Sequence, residues 1–310
     1  MRCFSCGTES SATSGVCPRC GASQDDLPPG ATIGGKWIIE RLLGSGGMGR
    51  VYLARHATLG RHFAVKVLHH RYLNNRNLIK RFKAEALAVS AMDHPNVISI
   101  VDHGEDASGL LYITMEYLRG KSLESLATEV FPLPEERLLR ICIQVCRALE
   151  EAHRHGIIHR DLKPENVMVN EESDPPDGVK VLDFGLAKAL DPGLLGGMSQ
   201  ITVAGSTCGT PEYMSPEQAR GVELDARSDV YALGVLLYRV VAGRPPFLGR
   251  NPVAVASAHV TEPVKRLREV FPGVRIGRRL EELIYRCLEK QPERRHASAR
   301  ELRHELESIL

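Results

Sequence analysis

The sequence predicts an α+β chain built as two lobes, a small β-rich one followed by a larger helical one, and three observations carry that prediction. Residues 34 to about 100 read as short strands with one helix. Beyond the strand at Leu111–Met115 the pattern turns to long segments of helical period. Ahead of both, four of the eight cysteines crowd into the first twenty positions. The 310 residues, 43% hydrophobic and 25% charged, suffice for one large two-lobed domain or two ordinary ones.

Each element follows from local pattern. Trp37-Ile38-Ile39, Val51 to Ala54, Phe63 to Val67 and Leu111 to Met115 are short β-branched and aromatic runs, which favour strands. Leu78 to Met92 has helical periodicity and is stopped by Asp93-His94-Pro95. Glu135 to His155, Asp229 to Ala242 and Leu280 to Leu288 repeat apolar residues at the helical period. Residues 23–33, with Pro28-Pro29-Gly30 and no apolar periodicity, read as a linker. The expected organisation is therefore a cysteine module at 1–22, a linker at 23–33 and the two-lobed domain at 34–310.

Composition excludes several classes. Forty basic and 38 acidic side chains give a net charge of +2, unlike a histone-like coat or an acidic solvating protein. Aromatics at 5% with one Trp disfavour an aromatic-stacking RNA binder. The most apolar long stretch, Val230 to Val241, falls short of the roughly 20 residues of a bilayer span. The start, Met1-Arg2-Cys3-Phe4-Ser5-Cys6, lacks the apolar core of a secretory signal, so a cytoplasmic location is expected.

Cys3, Cys6, Cys17 and Cys20 form two CxxC pairs, each followed by Gly. A CxxC turn aims two thiolates at one point, and two such knuckles supply four sulfur ligands to a tetrahedral zinc. Disulfides are disfavoured in the cytosol, and a redox CxxC needs a strand–helix unit that is missing here. So short a segment would draw its folding energy from the metal; it resembles a minimal zinc ribbon. The i, i+4 pair Cys142 and Cys146 reads as core.

Gly44-Ser45-Gly46-Gly47-Met48-Gly49 satisfies GxGxxG between two strands. A Walker A loop needs Lys-Ser/Thr where Arg50-Val51 stands, and a dinucleotide-binding loop needs a following helix and a later acid. From Arg41 through Ala84 there is no acid at all, only ten Arg and Lys. A hairpin flap whose backbone amides cover ATP phosphates fits best. Lys66 lies within an apolar strand, where a lone ammonium is costly. Glu85, the first acid after the gap, is its natural partner, and together they suggest a lysine held toward the α/β-phosphates.

His159-Arg160-Asp161-Leu162-Lys163-Pro164-Glu165-Asn166 follows, and then Asp183-Phe184-Gly185 after a strand at Val179–Leu182. With these motifs in order, residues 34–310 resemble the eukaryotic-like Ser/Thr protein kinases of bacteria. The resemblance implies a bilobal protein-kinase-like fold, ATP as phosphoryl donor and Mg²⁺ (or Mn²⁺) as cofactor. It implies that Asp161 accepts or positions the substrate hydroxyl, that Lys163 neutralises the transferred phosphoryl, and that Asn166 and Asp183 ligate Mg²⁺. Leu43, Val51, Ala64 and Met168 would sandwich the adenine, Glu116 and Leu118 would offer hinge backbone hydrogen bonds, and Met115 would be the gatekeeper. His159 and Phe184 are expected to be packing elements.

Small-molecule kinases share the catalytic Asp, so the acceptor is read from Gly209-Thr210-Pro211-Glu212-Tyr213-Met214-Ser215-Pro216-Glu217, which resembles a peptide-cradling segment. Thr210 would bond Asp161 and Lys163 and favour Ser or Thr acceptors in protein substrates. Glu217 would pair with Arg295, and Asp229 would brace the catalytic loop or simply cap its helix. His296 stands where the family usually has Pro. Arg160 implies a phosphate in the activation segment, with Thr202 the best-placed site beside Ser199, Ser206 and Thr207. The competing expectation is an inactive pseudokinase that uses the ribbon as a scaffold; the presence of Lys66, Glu85, Asp161, Asn166 and Asp183 weighs against it. For the ribbon itself, protein binding is favoured over dimer formation, nucleic-acid binding, sensing of metal or thiol oxidation, or capping of the β lobe. Only Arg2 and Arg19 are basic there, which disfavours nucleic acid. Many bacterial relatives carry a membrane span after the kinase domain; this chain ends with the domain, so its signal is expected from inside the cell.

Overall fold

A computed structural model describes Cys6, Thr8 and residues 17–21, 26–73, 75–184 and 211–310. The chain divides into two compact units, one of Met1–Ala91 with Ile98–Leu118 and one of Met92–Val97 with Arg119–Leu310.

The first unit holds an antiparallel sheet of β1 (Thr32–Ile33), β2 (Trp37–Ser45), β3 (Gly49–His56), β4 (His62–Leu68), β5 (Ile100–Glu105) and β6 (Leu111–Glu116), in the order β1-β2-β3-β4-β6-β5. Side chains alternate faces along a strand. On β4, Val65 and Val67 join a core with Trp37, Ile39 and Tyr52, while Leu68 joins the cluster of Phe82 and Ala86 on α1 (Arg76–Ser90). Lys66 therefore shares its face with Leu68, on the side that carries α1. Helix α1 starts where Asn75 caps it, its Oδ1 accepting from the Asn77 and Leu78 amides at 3.1 Å each.

The expected linker behaves differently. Residues 26–33 pack onto this sheet: Leu27 is 6% exposed within the core cluster, and its amide donates to the Tyr52 hydroxyl at 3.2 Å. Gly30 N–H reaches Ile39 O and Ile39 N–H reaches Ala31 O, both at 2.8 Å, and Asp26 pairs with Arg50. Pro28-Pro29-Gly30 makes the turn that lets Leu27 dock and a short strand, β1, pair with β2 and bury Ile33. Composition looked like a tether; Leu27 and Ile33 in the core, with Ala31 packed against it, make residues 26–33 part of the fold.

The second unit is mostly helical: α2 (Leu123–Glu129), α3 (Glu135–Arg154), α4 (Pro216–Arg220), α5 (Arg227–Ala242), α6 (Pro252–Thr261), α7 (Leu267–Val270), α8 (Arg278–Cys287) and α9 (Ala299–Ile309). A small sheet, β7 (Lys121–Ser122), β8 (Val167–Asn170) and β9 (Gly178–Val181), frames the catalytic motifs. Helix α5 is apolar nearly all round, and fourteen of its residues are buried, as a central helix requires. A Cβ at Gly234 would lie 2.6 Å from Cys287 Cβ, so glycine allows α5 and α8 to touch. Cys142 and Cys146 are fully buried core, as their spacing implies, and burial lifts the Cys142 thiol to about 12. Among the described residues no helix is long and apolar enough to cross a membrane.

Candidate active site

In the first unit, β2 and β3 form a hairpin whose tip is the glycine loop. Gly46 N–H donates to Gly49 O at 2.9 Å, closing the turn. The glycines differ in what they answer to. A Cβ at Gly49 would fall 2.1 Å from Val67 O, so that glycine serves the β3–β4 pairing. Gly44 and Gly47 would meet nothing within 4 Å, Gly46 only Gly49 O at 3.9 Å, and none has a left-handed backbone. The chain itself does not require these three to be glycine. Their bareness suits close approach of a ligand to the backbone.

Lys66 is half-buried in β4, opposite Val51 on β3 and Ile113 on β6. Ala64 lies opposite Leu53 and Met115, so Val51, Ala64 and the gatekeeper position belong to one stretch of sheet. Leu43 is 37% exposed on β2. At the end of β6, Glu116 N–H donates to Ser99 O at 3.0 Å and Glu116 Oε1 accepts from Ser99 N–H at 2.9 Å. The first unit ends at Leu118, the second of the two residues expected to form the hinge. Glu85 lies on α1, and its side chain is outside the described atoms.

In the second unit the motif residues converge around one buried carboxylate. Asp229, 1% exposed near the start of α5, accepts from His159 N–H at 2.8 Å, Arg160 N–H at 3.0 Å and His153 Nε2 at 2.7 Å. Burial pushes its pKa up, but the hydrogen bond and charge of His153, helped by His159, outweigh burial and hold it below the usual range. Asp229 thus braces the loop rather than merely capping a helix. His159 is buried, donates from Nε2 to Leu182 O at 2.9 Å, and accepts at Nδ1 from Asp161 N–H at 3.3 Å. Burial lowers its pKa, so it is a neutral packing and bonding element, with its ring 4.7 Å from that of Phe184.

These bonds hold an uncommon backbone. Arg160 has φ 64°, a left-handed conformation that costs a non-glycine residue about 1–3 kcal/mol. Its N–H goes to Asp229 and its C=O accepts from Gln218 Nε2 at 2.8 Å, which fixes the peptides on both sides of it. Asp161 follows directly. Its carboxylate lies 3.8 Å from Lys163 Nζ, and its carbonyl accepts from Asn166 Nδ2 at 2.9 Å. That bond uses the amide nitrogen of Asn166 and leaves the side-chain oxygen as its atom for a metal. Leu182 N–H donates to Asn166 O at 2.8 Å, tying β9 and Asp183 to the same loop. Asp183 also has a left-handed backbone, with φ 49°. Met168 lies on β8 opposite Lys180. Three oxygen-bearing side chains on one loop and strand end suit a hard divalent cation.

Glu217 and Arg295 form the expected ion pair. Arg295 is fully buried at its side chain and meets the carboxylate through two bonds of 2.7 and 2.9 Å. His296 is buried too, between Cys287 Sγ at 3.5 Å and Glu305 Oε2 at 2.9 Å.

Of the N-terminal cysteines, Cys6, Cys17 and Cys20 bring their sulfurs within 4.8 Å of one another, with Cys6 and Cys17 at 3.6 Å. Tetrahedral zinc with sulfur at about 2.3 Å would place its ligands about 3.8 Å apart, so the three fit the ion. Hydrogen bonds from the Thr8 hydroxyl and backbone lower the Cys6 thiol to about 6, and backbone hydrogen bonds of Cys20 and Arg19 lower Cys17. Cys3 lies outside the described residues, as do Thr202, Thr210, Ser199, Ser206 and Thr207.

Sequence reasoning missed His153 and Gln218. His153 looked like any polar residue in the last turn of a helix, and no spacing marks it. Gln218 did leave a signal: Ser215 and Gln218 form a capping box at the start of α4.

The sequence pattern of the protein kinase domain matches residues 37–306. The chain is 47% identical over 280 residues to a serine/threonine-protein kinase, pkn3, of Myxococcus xanthus, covering 90% of this chain and 51% of that protein. It is 40% identical over 279 residues to the serine/threonine-protein kinase PknB of Mycolicibacterium smegmatis, covering 87% and 42%. The chain thus spans about half the length of the curated relatives it matches. Its fold matches the crystal structure of the Mycobacterium tuberculosis PknI kinase domain with a TM-score of 0.69 and 28% identity, covering 92% of this chain and all of that one. With its ordered motifs and braced catalytic loop, this chain belongs to the protein kinase domain family.

Proposed function

We propose that the chain is an ATP-dependent serine/threonine protein kinase that transfers the γ-phosphoryl of ATP to Ser or Thr hydroxyls of proteins. The observation that carries the reading is the loop from His159 to Asn166: the buried Asp229 fixes the His159 and Arg160 amides just before Asp161, which in turn meets Lys163 Nζ through its carboxylate and Asn166 Nδ2 through its carbonyl. Asp161 takes or orients the acceptor hydroxyl proton, and Lys163 balances the charge of the phosphoryl in flight. Lys66, supported by Glu85, and the glycine loop of Gly44, Gly46 and Gly49, through the backbone amides at its tip, hold the ATP phosphates, while Leu43, Val51, Ala64 and Met168 enclose the adenine and Glu116 and Leu118 bond it. Asn166 and Asp183 would hold Mg²⁺ or Mn²⁺, which supplies charge neutralisation between phosphates. No catalytic position is substituted, so the inactive-scaffold alternative has no residue to support it.

Arg160 supports control by phosphorylation. Its Nη1 is buried without a hydrogen-bond partner among the described residues, as a guanidinium awaiting a phosphate would be. Thr202 is the proposed site, with Thr210 as the acceptor-recognition threonine. Cys3, Cys6, Cys17 and Cys20 are proposed to bind one structural Zn²⁺, and the resulting ribbon to contact a protein partner or a second copy. A cytoplasmic location accords with zinc held by reduced cysteines and with the ATP requirement.

The test is transfer of label from ATP with Mg²⁺ to a generic protein acceptor, alongside Asp161→Asn. The wild-type chain is expected to label the acceptor on Ser or Thr, with a rate lower by orders of magnitude in the variant. Equal labelling by the two proteins would overturn the assignment of Asp161, and none by either would overturn the activity.

A further inference from the structure

The glycine loop is not left to itself. Two of the three residues after β4, His69 and Arg71, at the entry to a 3₁₀ turn (His70–Tyr72), supply donors to three successive loop carbonyls. His69 Nε2 bonds Gly46 O at 3.0 Å, Arg71 Nη2 donates to Gly47 O at 3.0 Å, and His69 N–H donates to Met48 O at 3.0 Å. A carbonyl can only accept, so His69 carries its proton on Nε2. His69 is 8% exposed and held in place by the strand behind it, whereas Arg71 is exposed and rests on the Tyr72 ring at 4.8 Å.

The consequence lies in the peptide plane. In a trans peptide the C=O of one residue and the N–H of the next point in opposite directions. Turning the carbonyls of Gly46, Gly47 and Met48 toward residues 69–71 turns the N–H groups of Gly47, Met48 and Gly49 away from them. Successive N–H groups presented together form a concave donor array that favours an anion. Without the side-chain donors, the bare glycines at 46 and 47 could rotate these peptides freely.

We infer that His69, assisted by Arg71, is a positioning residue that pre-sets the loop amides for the phosphates of ATP. The inference rests on the reading of Gly44–Gly49 as the phosphate flap. His69 never meets the nucleotide; it acts through the Gly46–Gly47 peptide. Its effect should therefore appear only with ligands that carry phosphates.

The experiment compares the affinities of the full chain for Mg²⁺-ATP and for adenosine, by calorimetry, in the wild type and in His69→Ala, His69→Gln and Arg71→Ala. Removing one side-chain hydrogen bond is expected to lower the ATP-over-adenosine preference about three- to ten-fold in His69→Ala. Adenosine binding should stay within about two-fold of wild type. His69→Gln, which returns a donor near the same point, should recover most of the preference, and exposed Arg71→Ala should lose about two-fold. An unchanged preference in both alanine variants overturns the inference while the flap reading stands. Equal weakening of ATP and adenosine in His69→Ala assigns His69 to general packing and also overturns it, with Arg71→Ala as the check if His69→Ala is poorly folded. A wild type that binds ATP no better than adenosine removes the flap reading itself.

Discussion

Replacing Asp229 by Asn keeps the size of the side chain and removes its charge and one acceptor. Two of the three donors, from His159 and His153, share Oδ2, while the Arg160 amide alone uses Oδ1. An asparagine satisfies more donors by keeping its oxygen at the shared position, which points its NH₂ at the Arg160 amide. That buried N–H then faces a donor, at a residue whose φ of 64° already stores strain. Losing a charge-assisted bond costs about 1.5–3 kcal/mol, and an unsatisfied buried amide adds a similar amount, so the lower end of the sum, about 3 kcal/mol, is the minimum expected. For a unit of this size that lowers the Tm by about 6–12 °C. Relaxation of Arg160 moves Asp161, the next residue, and a displacement near 1 Å costs on the order of 100-fold in rate. The expected outcome in steady-state phosphorylation is a kcat reduced about 10- to 100-fold with the KM for ATP within about three-fold. A lowered Tm with unchanged kcat would refute the brace, because the carboxylate would then support the fold without positioning the loop.

Three further outcomes follow from buried or clustered groups. Glu217→Ala strands the fully buried Arg295 guanidinium and should cost about 3–5 kcal/mol in denaturant unfolding; a loss under about 1 kcal/mol would contradict the pairing. His259 is buried, accepts from the Tyr231 hydroxyl at 2.9 Å and donates to Glu212 O at 3.0 Å, and burial lowers its pKa to about 3. The unfolded chain then binds this proton first, so the contribution is full above about pH 6.5 and is lost as pH falls toward 3; near pH 5.5 the loss should be about 1 kcal/mol. His259→Gln should flatten that part of the pH–stability curve, and an unaltered slope would exclude His259 as its source. Finally, purified protein should carry one zinc per chain by atomic absorption, released by a thiol reagent and absent from Cys17→Ser; zinc retained in that variant would point to another ligand set.

How much of this was legible depended on whether the information was local. Strand and helix positions could be read because alternation and helical period are local: the pattern over Glu135–His155 became α3 with one residue's difference at its end. The grouping of the candidate catalytic residues was legible for a related reason. Asp161, Lys163 and Asn166 sit within six residues, so their joint presentation needs only a short loop. What failed to show was whatever depends on partners far along the chain. Leu27 looked like one apolar residue in a tether until Tyr52 and the sheet core received it. His153 acquired a role only through Asp229, 76 residues away.

The sequence by itself determined the two-lobed α+β class, the family and the residue types at each candidate catalytic position, since these lie in contiguous motifs and periodic runs. Only the tertiary structure decided how the loops are held: a buried carboxylate on α5 sets the backbone of Arg160, and a histidine after β4 turns the peptides of the glycine loop. Those restraints are hydrogen bonds between residues distant in sequence, and a carboxylate or an imidazole carries no mark of its partner until the chain has folded.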